Sequence, residues 1–373
     1  MGRPRGFRRF HVIVEETEVV VIGAGQAGLS SAYFLRRFGF EPVVLDAGDG
    51  AGGAWRHRSP SLTMDKVHGI FDLPGVPRDL EVDGRRPVAE VVPAYYAAYE
   101  EELALDVVRP VKVTSVRRDP DGRLVLATGA GEWSARAVVN ATGTWTRPHW
   151  PYYPGAAGFE GRQLHYASYR GPEEFSGRHV IVVGGGASAM HVLSEIAGVA
   201  AGTAWVTRRL PVFRDGDFGE NARREAVALV EERVRAGLPP QSVVGVTGLG
   251  YSTVVREALA KGVLNRLPMF DRVTAHGVTW PADEHSATGG FLAADTIIWA
   301  TGFRSALDHL APLRLREPGG GIKVDGTQAV NEPALQLVGY GPSASTIGAN
   351  RAGRTAARNV RGYLAGRPAR PAA

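Results

Sequence analysis

Val19-Val20-Val21-Ile22-Gly23-Ala24-Gly25-Gln26-Ala27-Gly28 decides how the rest of this chain is read. Four apolar residues, three of them valine, predict a short buried strand. The glycines that follow have the spacing of a tight turn opening a helix. Gly23 permits the turn, Gly25 leaves room for a pyrophosphate against the backbone, and Gly28 lets helix and strand pack closely. Phosphates would then rest on free amides of the first helical turn, at Gln26 and Ala27. The helix is predicted from about Gly28 to Phe38, with Gly39 as its C-cap. Val43-Val44-Leu45 reads as the next strand of one right-handed βαβ unit. Asp46, followed by Ala47, ends that strand where a carboxylate would accept both hydroxyls of a ribose.

The pattern recurs once. Val180-Ile181-Val182-Val183 precedes Gly184-Gly185-Gly186-Ala187-Ser188-Ala189, in which alanine takes the third position. The following strand, Ala204 to Thr207, ends in Arg208-Arg209 with no acid. Guanidinium forks without a carboxylate favour a 2′-phosphate, so NADPH is expected over NADH. One such loop binds one dinucleotide; two in one chain point to a hydride passed between two.

Composition narrows the rest. At 373 residues with 44% hydrophobic content the chain can build one large or two ordinary domains. No run approaches the roughly 20 apolar residues that span a bilayer. There is no cysteine, which excludes disulfides, zinc-thiolate sites and the redox chemistry of disulfide reductases. The net charge of +5 is spread along the chain, so a nucleic-acid partner is not expected. The ten histidines are dispersed, with no metal spacing. The basic start, Met1 to Phe10, reads as a disordered leader without a signal-peptide core, and the tail from Gly366 as loose. A cytoplasmic enzyme, possible as a homodimer, is the expectation.

Between the two loops, Pro93 to Leu105 reads as a helix. Val111 to Val116, Leu124 to Ala127 and Val138-Val139 read as strands, with Asp121-Gly122 as a hairpin turn. Segment 144–177 reads as a connector where the chain crosses between domains. Segment 214–270 reads as an insert, with helices at about Asn221 to Ala236 and Thr253 to Ala260, that could cap the second unit. Thr296 to Trp299 and Leu335 to Val338 are predicted strands, the latter feeding a helix from about Ser345. The fold class is therefore α/β, with two Rossmann-like dinucleotide-binding domains, the second inserted in the first. The boundaries are 1–155 plus 295–373 for the first and 156–294 for the second.

In this order the motifs resemble those of the class B flavoprotein monooxygenases, the flavin-containing and Baeyer–Villiger group. Gly52-Gly53-Ala54-Trp55 resembles the GGxW segment that lies along the flavin. Ala141-Thr142-Gly143 and Ala300-Thr301-Gly302 resemble the paired ATG motifs at the domain crossings. Phe159-x-Gly161-x-x-x-His165-x-x-x-Tyr169 resembles the group's fingerprint, its last aromatic closer to flavin-containing monooxygenases. The resemblance implies FAD on the first loop and NADPH on the second. It places Val113 at the adenine, Met64 and Asp65 at the reactive edge, and Ile347, starting the last helix, at the pyrimidine end of the flavin.

Asp65 stands where flavin-containing monooxygenases carry Asn and Baeyer–Villiger enzymes carry Asp, so the reaction type stays open. The resemblance implies a C4a-(hydro)peroxide that gives one oxygen atom of O2 to a nitrogen, sulfur or carbonyl centre of a small substrate. Asp65 would orient the nicotinamide or the peroxide. His165 is either a catalytic group or a hydrogen-bonded linker residue. Trp145 and Trp150 would pack the junction. The competing readings are a reductase delivering electrons to a protein or quinone acceptor, and a non-catalytic nucleotide-bound sensor.

Overall fold

The computed structural model describes residues 14–67, 70, 72–77, 83–214, 220–240, 248–281, 290–344 and 346–366. The basic leader, most of the tail, His68 and Ser345 lie outside the described residues.

The first unit grows from β1 (Val14–Ile22), α1 (Gln26–Arg37) and β2 (Val43–Leu45). It continues through α2 (Val88–Glu102), β3 (Val107–Val108), β4 (Val113–Arg118), β5 (Leu124–Thr128) and β6 (Gly131–Asn140). β3, β2, β1, β6 and the late strand Glu332–Leu337 pair in parallel in that order, while β4, β5 and β6 form an antiparallel meander. Val19, Val20 and Val21 are fully buried, because helices cover one face and the meander side covers the other. Helix Thr346–Leu364 crosses α1 so closely that a Cβ on Gly353 would lie 2.5 Å from Ser30 Oγ.

The second unit holds β7 (Arg162–His165), β8 (His179–Val183), α3 (Ala187–Ile196) and β9 (Gly202–Val206). Its sheet is wholly parallel, in the order Arg266–Leu267, β9, β8, Thr296–Trp299, β7. The chain leaves the first sheet after β6 and returns to it after Thr296–Trp299, so the expected boundary at 295 falls too early: that strand lies between β8 and β7 in the second sheet. The fold is thus α/β with two Rossmann-like units, the second inserted in the first. Among the described residues no helix is long and apolar enough to cross a membrane.

Several elements differ from their sequence-predicted bounds. α1 begins at Gln26, two residues early, because Gly25 is extended (φ −80°, ψ −176°) and caps it directly. α2 begins at Val88, so Pro93 sits inside it; the first-turn preference of proline misplaced the start. Val138-Val139 is the end of a ten-residue strand, β6. Segment 144–177 is no mere connector, since β7 adds an edge strand to the second sheet.

Segment 214–270 divides. Helix Thr253–Ala260 packs on α3 and Arg266–Leu267 pairs with β9, so both belong to the Rossmann unit rather than to an insert. The remaining helix, α4 (Glu220–Arg235), reaches the first unit instead of capping the second. Its Val234 is fully buried in the first unit's core with Leu307, Leu310 and Ile322. A Cβ on Gly341 would meet Val234 at 3.1 Å, and the Gly321 amide donates to the Gly237 carbonyl at 3.0 Å.

Candidate functional site

The two glycine loops are built alike. Gly23 has φ +101°, and a Cβ there would lie 2.7 Å from the Ala141 carbonyl oxygen. Gly184 has φ +148°, and a Cβ would lie 2.2 Å from the Ala300 carbonyl oxygen. Each first glycine is therefore seated on the end of the neighbouring strand, where an Ala-Thr-Gly segment begins. The Ala141 amide donates to Ile22 O and the Ala300 amide to Val183 O, both at 2.8 Å. The second glycines, Gly25 and Gly186, face open space, with nothing within 4 Å of a Cβ built on either. Gly186 is extended as well (φ −110°, ψ 179°) and caps α3. The third position packs: a Cβ on Gly28 would lie 1.8 Å from Gly23 O, whereas Ala189 is accommodated and fully buried. Ala187 and Ser188 form the first turn of α3, as Gln26 and Ala27 form that of α1.

Around the first loop, Asp46 is buried and its two oxygens accept from the Ala24 and Gly48 amides, each at 2.7 Å. Arg109 lies 3.8 Å away, itself held bidentately by Glu100. Each carboxylate oxygen keeps a further lone pair for a hydroxyl donor. Ala47 is exposed beside it. The Val111 amide donates to Asp46 O at 2.7 Å, which brings the buried Val113 to the same end of the sheet. Gly53 (φ +51°) crosses the loop from the other side; a Cβ there would meet Gly25 Cα at 2.8 Å. It opens the short helical turn Gly53–His57 that carries Ala54 and Trp55. The Gln26 side chain donates to Thr346 O at 3.0 Å, so the starts of α1 and of the last helix converge. Ile347 belongs to that helix's first turn; its side chain lies outside the described residues.

Met64 and Asp65 lie on a single turn, Met64–Lys66. Met64 packs on the first unit's core, while Asp65 is exposed and accepts a short hydrogen bond from the Thr63 hydroxyl. The turn touches the second unit through Thr253, whose hydroxyl donates to Asp65 O at 3.2 Å.

Arg208 and Arg209 are both exposed beyond β9. Arg266, which sequence reasoning missed, donates to the hydroxyl (2.9 Å) and carbonyl (3.1 Å) of Thr207 and fixes the chain just before them. Burial, with Arg304 and Arg208 close by, holds His149 below its ordinary pKa. The mouth of the second loop is therefore electropositive.

The chain's two crossings pair with each other, Pro148 against Phe303. Thr142 Oγ1 donates to Ala306 O at 2.7 Å, the Ala306 amide to Gly143 O at 2.9 Å, and the His149 amide to Gly302 O at 2.9 Å. The Thr301 hydroxyl donates to His149 O. His165 belongs to this clasp. Its Nδ1 accepts from the Ala167 amide at 3.1 Å, which leaves Nε2–H to donate to Gly302 O at 3.0 Å. It is 1% exposed, and burial pushes its pKa down to about 4. Both nitrogens serve backbone groups, which is the hydrogen-bonded linker arrangement among the two readings of His165. Trp145 stacks on Phe303 with ring centroids 4.8 Å apart, and Trp150 lies 5.9 Å from the His165 ring.

Burial also lowers His309, which meets Asn140 Oδ1 at 2.6 Å, to about 4. Between pH 6.5 and 4 the unfolded chain binds more protons at these two histidines than the folded one. Their contribution is intact above pH 6.5 and lost as the pH falls toward 4. The melting temperature should drop across that window, and the drop should shrink in His309→Gln; identical slopes would remove His309 from the account.

Sequence reasoning also missed a buried polar cluster between the units. Arg58 sits between the rings of Trp145 (4.4 Å) and Trp55 (5.3 Å). Tyr166 OH lies 3.1 Å from His191 Nδ1, and Glu195 lies one helical turn beyond His191. Among the described residues no group of His, Asp and Glu could hold a metal ion.

A family model described as pyridine nucleotide-disulphide oxidoreductase matches residues 20–232. A flavin-containing monooxygenase from Stenotrophomonas maltophilia is 38% identical with a TM-score of 0.79, covering 94% of this chain and 99% of that one. The Arabidopsis thaliana flavin-containing monooxygenase FMO GS-OX1 is 32% identical over 224 residues, 49% of this chain and 47% of that protein. Ferredoxin–NADP reductase 1 of Cupriavidus metallidurans is 29% identical over 306 residues, 78% of this chain and 80% of that protein. The match spans about half the length of the first of these curated relatives. The chain belongs to the pyridine nucleotide-disulphide oxidoreductase family and, within it, to the class B flavoprotein monooxygenases.

Proposed function

We propose that this chain holds FAD on its first unit and NADPH on its second, which keeps the strand Thr296–Trp299, and with O2 inserts one oxygen atom into a small organic substrate. The observation that carries the reading is the pair of loops at Gly25 and Gly186. Each has a cradle at which even a Cβ meets nothing, at the start of a helix with free amides. A bound flavin would supply electron storage and oxygen activation, and a bound nicotinamide the hydride.

The residues then divide the work. The amides of α1 and of α3 bind the pyrophosphates. Asp46 orients a ribose, and Arg208 and Arg209 bind a 2′-phosphate. The start of helix Thr346–Leu364 faces negative charge on the flavin with its positive end. Trp55 and Trp145 exclude water along the junction. Asp65 holds a proton or a carboxamide at the reacting edge.

The test is oxygen-dependent NADPH consumption that accelerates with substrate, with products read by mass across amines, sulfides and ketones. The likeness to the Cupriavidus ferredoxin–NADP reductase supports a second reading, electron delivery to a protein or quinone acceptor. NADPH consumption that needs such an acceptor, and no oxygenated product, would select it. Asp65→Ala should keep part of its NADPH consumption but release hydrogen peroxide in place of product. A fully coupled variant would take Asp65 out of the chemistry.

A further inference from the structure

Glu195 stands near the end of α3, the helix that starts at the second glycine loop. Its side chain is 6% exposed, yet it meets polar groups from both units. Oε2 accepts from Ser61 Oγ at 2.6 Å and from Tyr169 OH at 2.8 Å. Oε1 accepts from Lys66 Nζ at 3.0 Å, and His191 Nε2 lies 3.0 Å from the same oxygen. Ser61 and Lys66 flank Asp65 on the first unit; Tyr169 and His191 belong to the second. Burial alone would raise the Glu195 pKa, but His191, Ser61 and Tyr169 outweigh it and hold it at about 2. The carboxylate is therefore ionised at any working pH.

We propose that Glu195 is a positioning residue that sets the distance between the Asp65 turn and the second nucleotide loop. This rests on the reading above, in which FAD lies on the first loop and NADPH on the second. A hydrophobic contact would hold the units together at lower desolvation cost, but it would not fix a distance and direction. An ionised carboxylate between a lysine beside Asp65 and a histidine on α3 does fix both. The segment that begins with helix Thr253–Ala260 touches both elements: the Thr253 hydroxyl donates to Asp65 O, and Lys261 Nζ, just past the helix, donates to Ser194 O on α3 (2.5 Å). The nicotinamide end of a dinucleotide bound at α3 is thereby held in register with the turn that carries Asp65. Hydride transfer is sensitive to such register, since a displacement of about 1 Å can cost roughly a hundredfold in rate.

The experiment compares wild type, Glu195→Gln, Lys66→Met and Lys66→Arg as purified full chains. Flavin content is read by absorbance, flavin reduction by dithionite and by NADPH is followed without oxygen, and the NADPH dependence of the second rate is resolved. Glu195→Gln keeps the size of the side chain but loses its charge. It should retain flavin and full reduction by dithionite, while its NADPH-driven rate at saturation falls at least about tenfold. Lys66→Met, at the edge of the cluster, should repeat the effect and carries the test if Glu195→Gln does not fold; Lys66→Arg should recover most of the rate. A purely structural contact would lower flavin content and melting temperature and leave the saturated rate unchanged, which would overturn the proposal. Wild-type NADPH rates in Glu195→Gln or Lys66→Met would overturn it too. A wild-type protein that binds no flavin, or whose flavin NADPH does not reduce, would overturn the functional reading beneath it.

Discussion

Gly25→Val should give a protein that folds and is colourless. Gly25 is extended, a conformation valine adopts readily, and nothing lies within 4 Å of a Cβ built there. The folding cost is confined to a poorer helix N-cap, about 1 kcal/mol. The added methyl groups instead occupy the space over the first amides of α1, where a pyrophosphate must approach the backbone. Gly28→Ala supplies the contrast. Its Cβ would fall 1.8 Å from the Gly23 carbonyl oxygen, against backbone that cannot move without opening the sheet. That variant should lose structure and flavin together. Circular dichroism melting and flavin absorbance on the two variants separate binding from folding at neighbouring positions of one loop. Normal flavin content in Gly25→Val would refute the site.

Such a contrast was legible from the chain itself because phosphate loops are local. Turn, cradle and packing position all fall within six residues, so their pattern survives without knowledge of the fold. Helix Thr253–Ala260 and strand Thr296–Trp299 were legible at both ends for the same reason, each being a short periodic run with clear breaks. β7 was not. Arg162-Gln163-Leu164-His165 carries one aliphatic residue, since it is an edge strand whose pairing with Thr296–Trp299 joins residues more than a hundred positions apart. α4 shows the same limit in another form. Its pattern predicts a helix with an apolar side, but only the fold shows that Val234 enters the core of the first unit. The Glu195 cluster lies furthest from sequence reasoning. A glutamate near a helix end reads as a solvated charge, and its partners Ser61 and Lys66 stand 134 and 129 positions away. His165 was visible as part of a motif, but its function turns on two backbone partners that sequence cannot supply.

Arg208→Ala with Arg209→Ala should weaken NADPH binding by roughly two orders of magnitude and change NADH binding only a few-fold. The two coenzymes differ by a 2′-phosphate, so only groups that meet that phosphate can tell them apart. Hydrogen bonds to charged groups contribute about 1.5–3 kcal/mol each. Both arginines are exposed, which places them at the lower end, and two such contacts make about 3 kcal/mol, a factor of roughly 150. Exposure has a second consequence: the preference should decline as salt is raised, because the Debye length shortens from about 10 Å at 0.1 M to about 3 Å at 1 M. Arg266 is engaged with Thr207 and orients the turn, so Arg266→Ala should loosen both coenzymes rather than change the preference between them. Dissociation constants for NADPH and NADH at two ionic strengths resolve the three cases. An NADPH-to-NADH ratio unchanged in the double variant would move discrimination elsewhere on the electropositive mouth. Arg304 and His149 stand next in line there, since His149 lies within electrostatic reach of both Arg304 and Arg208.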